Sequence, residues 1–178
     1  MCKISDASVY VGTYGKYNSG SLAGKWLDIA DYASEEEFYE ACAELHKDEP
    51  AGRRELMFQD WSDVPSGFIS ESSISDALFG LVQEAKSMSD EEQEALAEWL
   101  ADHGASDGED ADDLMSEFHD DYVGEYDSEE AFAEEMVDEG AFGDIPENIA
   151  SYIDYEAIAR DLFMGDYWYS NGHVFHRY

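Results

Sequence analysis

The sequence predicts an α+β protein made of two or three small units in a row. Three patterns carry this: strand-like alternation in the first third, helical apolar spacing through the middle, and an aromatic hairpin at the C-terminal end. The element order is irregular and has no repeat of fixed period, which argues against one doubly wound sheet.

Ser8 to Tyr14 alternates like a strand and runs into a Gly/Asn-rich segment, GKYNSG, that reads as a turn. Gly24 to Ala30 and Glu55 to Gln59 are two further strands by composition. Between them, Ser34 and Glu37 have capping-box spacing for a helix through about His46, with Phe38, Cys42 and Leu45 on its core side. Ser70 to Gly104 reads as helical, with Ile74, Leu78, Leu81 and Val82 on one face. Ser89 and Glu92 cap a second helix there, whose core side is Leu96, Trp99 and Leu100. Ala105 to Glu109 is small and acidic and suits a linker.

From Asp110 to Tyr122, Ala111, Leu114, Met115, Phe118 and Tyr122 recur at helical spacing. Gly124 and Tyr126 interrupt that pattern. The next helix starts near Asp127 or Ser128, where Asp127 and Glu130 have capping-box spacing; Gly140 suits its left-handed end. Pro146 suits the first turn of a helix, and Tyr155, Ile158, Ala159 and Leu162 mark another. Asn171-Gly172 sits between two aromatic alternating runs and signals a two-residue type I′ hairpin.

Charge is the functional clue. The 178 residues include 44 acids and nine Lys plus Arg, a net charge of −35. No Lys or Arg occurs from Ser87 to Ala159, and sixteen of the thirty-three residues from Asp107 to Glu139 are Asp or Glu. Such charge alone suggests disorder, but 44% hydrophobic content with 14% aromatics supplies packed cores. Nucleic acid and anionic membrane are disfavoured as partners, because both would be repelled. A basic partner is favoured. No run is apolar enough to span a membrane, and the N-terminus lacks the apolar core of a signal peptide. Cys2 and Cys42 have no motif spacing, so a reduced cytoplasmic protein is expected.

Motifs for chemistry are weak. A calcium loop counted from Asp107 puts Ala111 at the fifth position and Asp112 where glycine is needed. His119-Asp120 is a dipeptide used by metal-dependent phosphohydrolases, but His46, His103, His173 and His176 give it no supporting spacing. No nucleophile–base pair or phosphate loop stands out, so no catalysis, metal or cofactor is expected.

The charge matches DNA in amount. Duplex DNA carries one charge per about 1.7 Å, so thirty-five charges correspond to roughly 60 Å of axis. A compact globule of this length is only about 40 Å across. Matching the charge density of DNA would call for an elongated molecule.

Six segments resemble the ArdA antirestriction proteins of mobile elements: VYVGTYGKYN at Val9, GKWLDI at Gly24, ACAELHKDE at Ala41, ELMFQDW at Glu55, EFHDDYVGEYDSEEAFAEE at Glu117, and YIDYEAIARDLFMGDYWYSNGHVF at Tyr152. The resemblance implies an elongated, curved DNA mimic of three units that dimerises. It implies inhibition of type I restriction–modification enzymes through the DNA site of their methyltransferase core. The units are then 1–66 (α+β), 67–105 (helical) and 106–178 (α+β, with the terminal hairpin). The family's antirestriction motif falls on Glu117 to Glu135. The carboxylates expected to stand in for phosphates are Asp107, Glu109, Asp110, Asp112, Asp113, Glu117, Asp120, Asp121, Glu125, Asp127, Glu129, Glu130, Glu134, Glu135 and Asp138. Phe118, Tyr122, Val123 and Tyr126 are expected at core or dimer contacts. Restriction would be blocked, with modification left open. The rival reading is an acidic binding module or chaperone for basic proteins.

Overall fold

A computed structural model describes residues 2–50, 52, 54–104 and 109–177. The fold is α+β, with two three-stranded antiparallel sheets. The chain divides into two compact units, Met1–Glu117 and Phe118–Tyr178.

In the N-terminal unit, β1 (Ser8–Thr13) is followed by the short helix α1 (Tyr14–Asn18) and by β2 (Lys25–Asp28). Then come α2 (Glu35–Leu45), β3 (Leu56–Ser62), α3 (Ala77–Ala85) and α4 (Asp90–His103). The sheet order is β2-β1-β3, so β1 is central. Tyr10 pairs with Asp60 and Val11 with Phe58, which leaves Gln59 as the extra residue of a bulge. Val9 and Val11 point into the core with Phe38, Phe58 and Phe79. Phe38 lies 6.1 Å from Phe58 and 5.6 Å from Phe79, ring centre to ring centre. Both α3 and α4 pack on the turn Ile4–Asp6. The buried Gln93 of α4 ties them further, its Oε1 accepting from the Ser5 N–H at 3.1 Å.

Two expectations fail here for local reasons. GKYNSG begins as helix α1 because the Thr13 hydroxyl accepts from the Lys16 N–H at 3.1 Å and caps it. Ser70 to Asp76 is not helical. Ile69 bridges Ile74, and the Ser70 hydroxyl accepts from the Ser73 N–H at 3.1 Å. Serine side chains offer the backbone this alternative to a helix, and α3 starts only at Ala77.

His46, at the end of α2, is fully buried. Its Nε2 lies 3.2 Å from the Val11 carbonyl and so donates to it. Nδ1 then accepts from Lys16 Nζ at 3.0 Å, and the same ammonium reaches Asp48 at 3.0 Å. Burial pushes the imidazole pKa down, and the Lys16 charge adds to that; the hydrogen bond to Val11 and the carboxylates of Glu49 and Asp48 oppose it. The folded protein therefore holds a neutral His46 that the unfolded chain would protonate. Its contribution is complete above the unfolded pKa, about 6.5, and is lost as pH falls through the lower folded value. The urea midpoint of the N-terminal unit should fall between pH 7 and pH 5, and by less in His46→Gln. An equal fall in both proteins would show that His46 does not carry the effect.

In the C-terminal unit, β4 (Tyr122–Glu125) precedes α6 (Glu129–Asp138) and the short α7 (Glu147–Ala150). Helix α8 (Tyr155–Met164) leads into the hairpin β5 (Tyr167–Ser170) and β6 (His173–His176). The preceding helix α5 (Ala111–Asp121) spans the point where the chain divides. The sheet order is β4-β6-β5. Ser170 pairs with His173, leaving Asn171 (φ 47°) and Gly172 (φ 94°) as the two-residue loop. Positive φ at both positions is the type I′ signature that Asn-Gly predicts. Helices α6 and α8 pack together, and Phe132 of α6 meets Phe163 and Tyr167 at 5.6 and 4.9 Å.

Strand β4 is the main surprise. The sequence reads as an interruption there, yet Tyr122 pairs with Phe175 and Gly124 with Val174. Four residues containing a glycine are too short to show alternation; distant partners make them a strand.

Candidate functional site: the acidic helices

The two units carry separate sets of carboxylates. In the first, Asp110 caps α5, its Oδ1 accepting from the Asp113 N–H at 2.9 Å. Ala111, Leu114, Met115 and Phe118 recur at i, i+3, i+4 and i+7 and are buried, as an amphipathic helix requires. Gly80 of α3 makes room for the start of this helix, since a Cβ there would overlap Ala111. The turned-out residues are Asp112, Asp113 and Glu117, all exposed, with Glu109 half-buried before them. His103, at the end of α4, stacks on Trp99 at 4.4 Å. Its Nε2 lies 3.5 Å from Glu109 and 3.9 Å from Glu117. No spacing in the sequence joins these three residues. Asp107 lies outside the described residues.

In the second unit, Asp120 is exposed and Asp121 half-buried at the end of α5. Glu125 ends β4, and Asp127 precedes α6. The cap of α6 is Ser128, whose hydroxyl accepts from the Ala131 N–H at 3.0 Å; Asp127 is not the cap. The helix closes on Gly140 (φ 83°), with Gly140 and Ala141 N–H groups donating back to Val137 and Met136. Phe132, Ala133 and Val137 are buried, while Glu129, Glu130, Glu134, Glu135 and Asp138 are exposed. Glu130, Glu134 and Asp138 follow one another at i, i+4. Like charges at that spacing cost about 0.2–0.5 kcal/mol per pair in an isolated helix. The apolar face of α6 holds this row in place against its own repulsion.

The aromatic residues of the motif make contacts within the C-terminal unit. Phe118 is 1% exposed and stacks on Tyr122 at 5.3 Å. The half-buried Tyr122 brings its hydroxyl to 3.2 Å from His173 Nδ1. The Tyr126 hydroxyl donates to Glu135 at 3.3 Å, and its ring packs on Phe132 at 5.0 Å. Burial and the neighbouring Glu135 charge push the Tyr126 pKa up. Val123 is half-buried on β4, an edge strand. Hydrogen bonds from the Tyr126 N–H to the Gly172 carbonyl (2.7 Å) and from the Tyr169 hydroxyl to the Tyr126 carbonyl (3.0 Å) fix the segment to the hairpin.

Rows of exposed carboxylates on packed helices attract cations and basic surfaces over a distance. Among the described residues, no group of three or more His, Cys, Asp and Glu is placed to hold a metal ion. His119 is exposed on α5. The family model described as antirestriction protein (ArdA) matches residues 9–175. The chain belongs to the ArdA antirestriction family. No curated protein matches it. The ArdA match runs through both units and takes in every carboxylate described above. ArdA proteins are an antirestriction inhibitor family. Among the described residues, no helix is long and apolar enough to cross a membrane.

Proposed function

We propose that this chain is a DNA mimic that inhibits type I restriction–modification enzymes in the cytoplasm. The carboxylates of α5 and α6 occupy the DNA-binding groove of the methyltransferase core and block restriction. The observation that carries this reading is the exposure of Glu129, Glu130, Glu134, Glu135 and Asp138 on a helix whose opposite face is buried. A DNA-binding groove is built to receive negative charges at fixed positions, and a packed helix supplies them. We further propose a two-fold dimer, with Tyr122, Val123 and Tyr126 at the interface and Phe118 packed behind Tyr122. A dimer doubles the charge, to the equivalent of roughly 35 base pairs.

The test is a gel-shift competition between the chain and a target duplex for a type I methyltransferase core. The duplex should be released near stoichiometric ratio, and an unrelated basic protein in excess should not rescue it. Retention of the duplex with the chain in excess would sink the mimic reading; rescue by any basic protein would favour an acidic chaperone. Sedimentation velocity tests the assembly. The parent should run as a dimer at micromolar concentration, and Val123→Asp, with unchanged circular dichroism, as a monomer. A monomeric parent would remove the dimer from the mechanism.

A further inference from the structure

One face of the N-terminal sheet carries aromatic residues that the core does not use. Tyr10 on β1 stands opposite Trp26 on β2, and their rings meet edge to face with centroids 5.6 Å apart. Gly24 permits this, because a Cβ there would overlap the Val11 carbonyl and the Tyr10 ring. The Tyr10 hydroxyl donates to the Leu22 carbonyl at 3.0 Å and fixes the connection into β2. Tyr17 from α1 and Trp61 from β3 join these two rings around a cleft of about 670 Å³. Tyr17 is 50% exposed, Trp26 43% and Trp61 40%, so three exposed aromatic residues border one concavity. Asp60 and Glu71 line it too, and no Lys or Arg does among the described residues. Asp60 Oδ1 accepts from the Trp61 backbone N–H at 2.9 Å, which fixes the orientation of that carboxylate.

We propose that this cleft takes a cationic side chain of a protein partner, arginine in preference to lysine. Aromatic faces carry negative charge density and attract a cation placed over them. A guanidinium is planar, stacks on indole and is less strongly hydrated than an ammonium. Its fork of N–H donors suits carboxylates at the rim, here Asp60 and Glu71. An anionic ligand would meet those carboxylates, and a purely apolar one would leave them unpaired at the contact. The cleft thus supplies a shaped anchor for one residue, where the acidic helices supply a diffuse attraction. The inference rests on the proposed function only for the basic nature of the partner.

The probe is the blocked tripeptide acetyl-Gly-Arg-Gly-amide, titrated into the full chain in 0.3 M salt so that general attraction is screened. Indole N–H resonances report the site, assigned through Trp26→Leu and Trp61→Leu. The Trp26 and Trp61 signals should shift saturably while Trp99 and Trp168 stay still. The lysine analogue should bind more weakly, and the neutral citrulline analogue should produce no shift. Each tryptophan replacement keeps the net charge and should weaken binding about fivefold. Equal shifts from the citrulline and arginine peptides would overturn the proposal. So would uniform movement of all four indoles, or unchanged affinity in both variants. Because no restriction enzyme is present, failure of the mimic reading leaves this result standing, and failure here leaves the gel-shift result standing.

Discussion

Phe132→Ala should unfold most of the C-terminal unit at room temperature. The ring is 1% exposed and touches three separate parts of that unit: Tyr126 after β4, Phe163 of α8 and Tyr167 of β5. Truncating a buried phenylalanine costs about 3–5 kcal/mol, because a cavity replaces the lost contacts. A unit of this size holds only about 3–9 kcal/mol in total at the usual stability per residue. Trp168 reports the loss, since it stacks on Phe175 at 4.3 Å in the same sheet. Its near-ultraviolet signal should collapse at a much lower urea concentration than in the parent. Phe132→Leu should keep most of the stability. A shift below about 1 kcal/mol for the alanine variant would mean that this cluster is not the unit's core.

The joint replacement of Glu129, Glu130 and Glu134 by lysine should have the opposite profile. Each change alters the charge by two, so the triple variant carries −29 in place of −35. All three residues are exposed; lysine at 130 and 134 exchanges one like-charge pair for another, while the lysine at 134 gains Asp138 as an opposite charge four residues on, so the fold should change little. Inhibition should nevertheless drop on the order of 10²–10³-fold, because several phosphate-like contacts become repulsive at once. The salt dependence of binding should flatten as well, by about one unit of slope per contact removed. Single reversals should weaken inhibition only about three- to tenfold. The readout is the duplex competition titrated at two salt concentrations. Full inhibition by the triple variant would move the contact surface away from α6. Complete loss in each single variant would replace a spread contact with one hot spot.

Local chemistry was readable from the residues alone. Ser89 and Glu92 form the full capping box that their spacing announces. Asn171-Gly172 makes the expected turn, and Val9 and Val11 alternate with Tyr10 as a half-buried strand should. The acidic stripes were legible too, because the apolar spacing of α5 and α6 leaves their carboxylates on the other side. Distant pairings were not legible. Nothing near Tyr122 marks it as the partner of Phe175. The meeting of Lys16, His46 and Asp48 depends on how the ends of α1 and α2 settle beside β1, and the cleft shared by Tyr10, Tyr17, Trp26 and Trp61 depends on the register of whole strands. The choice of Ser128 over Asp127 as cap was a one-residue ambiguity between two good capping residues.

The two sheets differ in when their middle strand is made. In β2-β1-β3 the central strand comes first in the chain, so each later strand finds a template waiting as it emerges. In β4-β6-β5 the central strand comes last. At ordinary translation speed, about fifty residues separate β4 from β6 by roughly 3–10 s. Through that interval β4 and β5 have nothing between them, and the most acidic part of the chain is held by helices alone. The N-terminal sheet can therefore grow during synthesis, while the C-terminal sheet closes in a single late event. A nascent chain stalled before His173 should resist protease in its first unit and be cut freely in its second.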